Sequence, residues 1–382
     1  MQIVGFGTYD RSKHPRAGIL LDGLRQLDEQ VQELNAPLGF STAERVAMLG
    51  KPWLGYRFVL RLLRRWLTLT LMRIRLLGRY RPDAVLVGYL GHFDVCLARL
   101  LFPRTLIALD MMIFAADTAT DRGVKVGIKL RLLATLDRLA IRCADVVVLD
   151  TEQQLELMPS GQRGKAVVAS VGSPDEWFHS PGPAPSDGRL RVVFYGLFTP
   201  LQGAPVIGAA IFQLAPETSI SITMVGTGQD LAATRALAGP LGIGDDPHAG
   251  NTEVHWRNWA EPAELQAIVA ESQVCLGIFG TGAKGLRVTP NKVYQGAAAG
   301  CAILTSDTSP QRKALGKSAR YVAPGDASAL AEALRSLAAD PDEVSRLQAA
   351  AYARAEQEFR PRDVARPLQQ AIGEGLKRRA NA

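Results

Sequence analysis

The 382-residue chain is 47 % hydrophobic and 21 % charged, too long for one ordinary core and too apolar for a disordered polymer, and it fits two domains of roughly 150 to 200 residues. Its four cysteines, Cys96, Cys143, Cys275 and Cys301, stand singly, which excludes a zinc or dithiol motif and predicts reduced core residues. A net charge of +7 admits nucleic acid, anionic lipid or a phosphorylated ligand, and the placement of the charge decides among them.

The start, MQIVGFGTYD, lacks the basic head, long apolar run and small-residue cleavage site of a signal peptide, so a cytoplasmic protein is expected. Ile3 to Phe6 reads as a strand and Ala17 to Leu34 as a helix. From Lys51 to Arg81 there are nine Lys or Arg residues and no acid, interleaved with aromatic residues and leucines. That stretch is too often charged to span a bilayer, which needs an apolar run of about 20 residues. A basic aromatic helix suits the surface of an anionic membrane, with Trp53, Phe58, Arg61, Arg64, Arg65 and Trp66 as its contacts and the inner face of the cytoplasmic membrane as its place. A core helix with solvated arginines is the bland alternative. Nucleic acid fits less well, because aromatic and leucine content exceeds what a phosphate-tracking arm needs.

Strands follow at Asp83 to Gly88 and Thr105 to Leu109, then a helix from Val124 to Cys143, then strands at Ala144 to Leu149 and Lys165 to Ser170. Short apolar strands alternating with helices imply a parallel sheet covered on both faces. The stretch SPGPAPSDG, residues 180–188, has no periodic apolar face and reads as a linker. Beyond it the alternation restarts, with strands at Arg191 to Tyr195, Ser219 to Val225, Thr252 to His255, Val274 to Ile278, Ala302 to Thr305 and Arg320 to Val322. Helices are expected at Ala204 to Leu214, Ala327 to Ala338 and Pro341 to Phe359. The predicted organisation is an α/β protein of two Rossmann-like doubly wound domains, 1–179 and 189–360, facing a central cleft, with 361–382 a helix returning toward the first domain. A ligand is expected between the halves, at the C-terminal ends of strands.

Three glycine-rich turns carry the candidate chemistry. Gly196, Thr199, Gln202 and Gly203 follow the strand RVVFYG, where glycines let a backbone approach a diphosphate; an ordinary strand-to-helix turn explains them as well. Gly226 and Gly228 follow SITMV and are weak alone. The third turn runs through Phe279, Gly280, Lys284 and Arg287 to a helix whose first turns hold Asn291, Lys292 and Gln295. Cations beside a helix N-terminus suit a diphosphate that must be held while it leaves. In the first half, His92 and Asp94 follow AVLVGYL and Asp110 follows TLIAL. His92 is placed to orient or deprotonate an acceptor hydroxyl, with Asp94 or Asp110 fixing its tautomer or binding hydroxyls; a turn histidine and a capping aspartate are the bland counterparts. Asp117, Asp121 and Arg122 form a polar loop that a capped helix start also explains. No aspartate pair has the spacing of a metal motif, so neither metal nor cofactor is expected, and GFGTYDRSKHPR is not the glycine turn of a dehydrogenase.

VTPNKVYQGAAAGCAILTSD, VVFYGLFTPLQGAPVIGAA and SITMVGTGQD resemble the donor-site elements of family-4-like retaining glycosyltransferases, and ADVVVLDTEQQLELM and VVASVGSPDEWF resemble the closing elements of their N-terminal domain. The likeness covers roughly residues 140 to 330. It implies the GT-B fold, a nucleotide-sugar donor without metal, and retention of anomeric configuration. The acceptor expected is a lipid-linked or cell-surface glycan precursor. Three features depart from the family pattern, one being that the glycine loop, GLFTPLQG, holds no Arg where members carry one. Arg287 and Gln295 stand where its members carry two glutamates eight positions apart, and Gln202 stands at the usual lysine of the glycine loop. Gln295 can still hydrogen-bond ribose hydroxyls, while Lys284, Arg287 and Lys292 can meet the phosphate charge. The rival readings are a catalytically silent GT-B module that scaffolds glycan assembly and a GT-B-fold nucleotide-sugar epimerase, the latter expecting acidic bases that are missing here.

Overall fold

The computed structural model describes residues 1–11, 14–39, 55–77, 81–182, 187–214, 218–242 and 252–381. Among these the strands form two parallel six-stranded sheets. The first joins β1 (Gln2–Gly7), β2 (Gln30–Asn35), β3 (Ala84–Val87), β4 (Leu106–Asp110), β5 (Val146–Leu149) and β6 (Ala166–Val168) in the order β2-β1-β3-β4-β5-β6. The second joins β7 (Leu190–Tyr195), β8 (Ile220–Val225), β9 (Thr252–Arg257), β10 (Val274–Leu276), β11 (Ala302–Ser306) and β12 (Ala319–Val322) in the order β12-β11-β10-β7-β8-β9. This is the α/β architecture expected of two doubly wound domains.

The chain divides into two compact units, one of residues 1–119, 125–169 and 361–382, the other of 120–124 and 170–360. The division thus falls ahead of the 180–188 stretch, of which residues 183–186 lie outside the described ones. Backbone contacts explain the earlier boundary. Ser173 N donates to Phe359 O and His179 N to Ala298 O, both at 2.9 Å, and the Trp177 ring stacks on Tyr195. Helix Pro361–Ala380 belongs to the first unit, where Gly23 lies so close to the Pro361 carbonyl that a Cβ would clash with it.

One expectation is corrected here. The helix read from Ala17 to Leu34 ends at Gln26, Asp28 turns the chain at φ 62°, and Gln30–Asn35 pairs with β1 as the edge strand β2. An edge strand with one fully buried residue, Leu34, carries no apolar alternation to read.

Period-two alternation divides the first sheet's core between its faces. Val4, Val85, Ile107 and Val147 pack under helices Gly55–Leu77, Asp94–Leu101 and Ile128–Cys143. Ile3, Leu86, Ala108 and Val146 pack under helices Arg16–Gln26 and Pro361–Ala380. The helix Gly55–Leu77 is where the basic aromatic segment was expected, with its register different from the expected contacts. Phe58 packs on Leu38 and Leu62 and sets its ring 5.9 Å from Phe93. Trp66 turns inward and donates from Nε1 to Asp94 at 2.9 Å. Arg65 is half-buried, whereas Arg61 and Arg64 are exposed, and Trp53 lies outside the described residues. The outward apolar row is Tyr56, Leu60, Leu63, Leu67 and Ile74 instead, each more than half exposed. Among the described residues no helix is long and apolar enough to cross a membrane.

Candidate functional site

In the second unit the strand order reverses between β7 and β10, and a crevice for ligands opens outside the carboxyl ends at such a point. The loops leaving these two strands are tied together by Phe279 N donating to Gln202 O at 2.9 Å. Gly203 takes the left-handed conformation, φ 62°, and faces Gly280 so closely that a Cβ would meet its nitrogen at 2.3 Å. Gly226 likewise faces the Gly196 carbonyl, 1.9 Å from where its Cβ would be. The amides of Gly196, Gly203 and Gly226 donate to Val225, Pro200 and Arg257 carbonyls. Gly203 and Gly226 therefore let backbones pass close to one another, and Gly196 leaves room for the Lys292 side chain. Gly228 abuts the Phe198 carbonyl in the same way. The Phe279 side chain is fully buried in the second unit's core.

Lys292 occupies the centre of this arrangement. It rises from the first turn of helix Asn291–Ala298, is 4 % exposed, and places its Nζ 3.7 Å from the Phe194 ring centroid. Nζ donates to Gln202 Oε1 and lies 3.4 Å from where a Cβ on Gly196 would stand. Burial pushes the Lys292 ammonium down to about 7, opposed by the charge of Cys275. Gln202 is thus the partner of Lys292. Gln295, one turn on, accepts from the Tyr195 hydroxyl at 2.9 Å, a partner that sequence reading missed. Thr199 is half-buried and accepts from Gln202 N through its carbonyl at 2.8 Å. Asn291 is half-buried at the helix start, where amides lack intrahelical partners. Lys284 and Arg287 are half-buried on the loop before it, each already engaged in a contact.

In the first unit the order reverses between β1 and β3; His92 and Asp94 follow β3, and Asp110 closes the neighbouring β4. Asp94 accepts from Thr8 N, Thr8 Oγ1 and Trp66 Nε1 at 2.7, 2.8 and 2.9 Å. Burial raises its carboxyl, against the lowering bonds from Trp66 and Thr8. It fastens β1 and helix Gly55–Leu77 to helix Asp94–Leu101. Asp110 is fully buried and meets Arg16 Nε at 3.3 Å; burial raises its carboxyl, with Arg16 opposing. Arg16 also donates to Ala169 O at 2.8 Å, so Asp110 Oδ1 ties the helix start to the strand ends, while its buried Oδ2 has no hydrogen-bond partner among the described residues. The carboxylate beside His92 is Asp137, whose Oδ1 lies 3.0 Å from Nε2 without a hydrogen bond between them. Asp137 also accepts from Ala115 N and Ala116 N at 2.9 and 3.1 Å. The available signal was its being the single acid in an otherwise basic amphipathic helix. Among the described residues no three His, Cys, Asp or Glu side chains group closely enough for a metal ion.

Residues 219–370 match the family model described as glycosyl transferase-like. No curated protein matches the chain in sequence. Solved structures match over nearly the whole chain. The Anabaena protein HepE in complex with UDP-glucose superposes with a TM-score of 0.64 at 12 % identity, covering 99 % of this chain and 100 % of that one. Sucrose-phosphate synthase from Thermosynechococcus elongatus gives 0.69 at 14 %, covering 98 % and 99 %. A UDP-forming α,α-trehalose-phosphate synthase from Burkholderia xenovorans gives 0.60 at 16 %, covering 82 % and 78 %. The likeness to the glycosyl transferase-like family thus lies in residues 219–370, and the two sheets have the GT-B fold of these structures.

Proposed function

We propose that the protein is a retaining glycosyltransferase that takes a glycosyl group from a UDP-sugar and passes it to a lipid-linked or cell-surface glycan acceptor. The observation that carries this reading is Lys292, a buried cation-capable group at the β7/β10 reversal, beside a helix N-terminus and between two glycine turns. A desolvated ammonium there stabilises charge that develops on a departing diphosphate more strongly than an exposed one does. In the transfer, the bond from the anomeric carbon to the diphosphate oxygen breaks and a bond to the acceptor oxygen forms. The acceptor's proton leaves with the diphosphate, and Lys292 and the helix amides hold the anion. Gln295, fixed by Tyr195, offers amide groups to ribose hydroxyls. His92, backed by Asp137, is the group in the first unit suited to orient an acceptor hydroxyl. UDP is favoured as the nucleotide by the ligands of HepE and by the product of the trehalose-phosphate synthase; retention rests on the family resemblance. No metal or cofactor is proposed. The basic helix Gly55–Leu77, with its arginines and outward leucines, is proposed to lie on the inner face of the cytoplasmic membrane, where a lipid-linked acceptor would be met.

Thermal unfolding with UDP, UDP-glucose and other nucleotide-sugars tests the reading, because a ligand of the native state raises apparent stability by mass action. A rise with UDP-sugars that disappears in Lys292→Met is expected, and no rise with any nucleotide at millimolar concentration would overturn it. Binding without transfer or donor hydrolysis would favour the silent scaffold instead, a reading that Arg287 and Gln295 in place of the usual glutamates also supports.

A further inference from the structure

We infer that helix Ile128–Cys143 is the second half of a two-helix docking face for an anionic bilayer, an inference that rests on the membrane placement of helix Gly55–Leu77 proposed above. Both helices cover the same face of the first sheet and flank helix Asp94–Leu101. On one side Trp66 bonds Asp94 and Phe58 meets Phe93. On the other, Cys96 Sγ lies 3.8 Å from Cys143 Sγ, and Arg99 Nε donates to Cys143 O at 3.0 Å. The three helices are one layer, with their outer surfaces pointing away from the sheet.

That outer surface is apolar and basic on both flanking helices. Ile128, Leu132 and Leu139 are 78, 65 and 47 % exposed at helical spacing, and Val126 just before them is 89 % exposed. Leu100, at 76 %, continues the row on the middle helix. Exposed Lys129, Arg131, Arg138 and Arg142 border the leucines, and the helix's one acid, Asp137, is buried on the opposite side. Helix Gly55–Leu77 repeats the pattern with six arginines and no acid. Isolated apolar side chains on a surface need no explanation, but rows of them bordered by uniform positive charge do. An anionic bilayer satisfies both halves of the pattern, since the headgroups meet the arginines while leucine and isoleucine enter the acyl boundary. A second copy of the chain would satisfy only the apolar half and oppose arginine to arginine.

Co-sedimentation with phosphatidylcholine vesicles, with and without phosphatidylglycerol, tests this in four proteins. These are the wild type, Arg57→Gln/Arg64→Gln/Arg75→Gln, Arg131→Gln/Arg138→Gln/Arg142→Gln, and Leu132→Gln/Leu139→Gln. Each basic residue near an anionic surface contributes about a fivefold gain in binding, so either triple variant is expected to bind phosphatidylglycerol vesicles roughly a hundredfold more weakly than wild type. Unfolding temperature and the response to UDP should be unchanged in both, the replaced side chains being exposed. Leu132→Gln/Leu139→Gln should weaken binding without altering its salt dependence. If the first triple variant is weakened while the second binds like wild type, the two-helix face is overturned and the single-helix placement stands. If the wild type ignores phosphatidylglycerol vesicles, both fall. A lipid-free dimer that Leu132→Gln/Leu139→Gln dissociates would assign the face to a second copy and overturn the inference too.

Discussion

The two sheets reverse their strand order at equivalent points, after β1 and β3 in the first and after β7 and β10 in the second, yet the charged groups found there do opposite work. In the first unit Asp94 and Asp110 are buried, one bonded to Thr8 and Trp66 and the other paired through Oδ1 with Arg16. In the second, Lys292 is equally buried but its neighbours are neutral, an amide oxygen and the rings of Phe194 and Tyr195. A buried charge with an ionic or fully bonded partner is architecture. One held by neutral groups is poised to receive an ion. Burial alone does not separate the two cases, and the partners do.

Removing Arg16 should break the first unit most sharply. Arg16→Met leaves the Asp110 carboxylate buried without its ion partner, and breaking such a pair costs about 3–5 kcal/mol. Chemical denaturation should show that loss while UDP still stabilises what remains folded. If Arg16→Met unfolds at the wild-type denaturant concentration, Asp110 is not the anchor described.

Lys292→Met should do the reverse. Loss of a charged hydrogen-bond donor to the diphosphate is expected to weaken UDP binding by about 1.5–3 kcal/mol, measured by calorimetry, and Arg287→Gln should fall in the same range if it joins the clamp. Wild-type UDP affinity in both variants would remove the assignment.

The acid–base behaviour of Lys292 sharpens the contrast. Its native ammonium titrates near 7 against an ordinary value of 10.5, so between these limits the unfolded chain binds more protons than the native one. Its contribution to stability therefore improves as pH rises from 7 toward 10.5, and is at its least favourable below 7, by up to about 1.4 kcal/mol per pH unit. The difference in unfolding free energy between wild type and Lys292→Met should trace this window. Nucleotide binding runs the opposite way, because the anion prefers the protonated lysine. UDP affinity is expected to fall by up to about tenfold per unit above pH 7, with proton uptake visible as a buffer-dependent heat. A flat affinity from pH 6 to 9 would contradict it.

The smallest effect is expected at Gln295. Gln295→Glu keeps an oxygen for the Tyr195 hydroxyl and an acceptor for ribose, so UDP affinity should stay within about threefold. A folded variant that no longer binds UDP would show that the amide hydrogens are what the ribose needs.

Much of this architecture is legible in the chain because buried parallel strands are continuous apolar runs, as in AVLV before the β3 reversal or VVVL in β5. The strand QVQELN escapes the same reasoning, because an edge position asks little apolar content of it. At the site, Lys292, Gln202 and Gln295 could be singled out from their turns. Their partners could not. That Gln202 serves Lys292, that Trp66 faces Asp94 and not a membrane, and that Asp137 sits beside His92 are all contacts across long sequence separation. Helical period alone places Trp66 beside the arginines of its helix, and only packing reveals that the leucines point outward.

The helix Pro361–Ala380 packs its Val364, Ala365, Leu368 and Ile372 into the same core as Leu20 and Leu24 of the first helix. On the ribosome, the chain from 170 to 360 must therefore be made before that core can be covered, a delay of roughly ten to forty seconds at about 5–20 residues per second. Throughout it the first half-domain waits with an uncovered hydrophobic face, a natural client for a chaperone, while the second can finish folding ahead of it. The order of synthesis and the order of completion are inverted, and the half that emerges first is the half most exposed to misassembly.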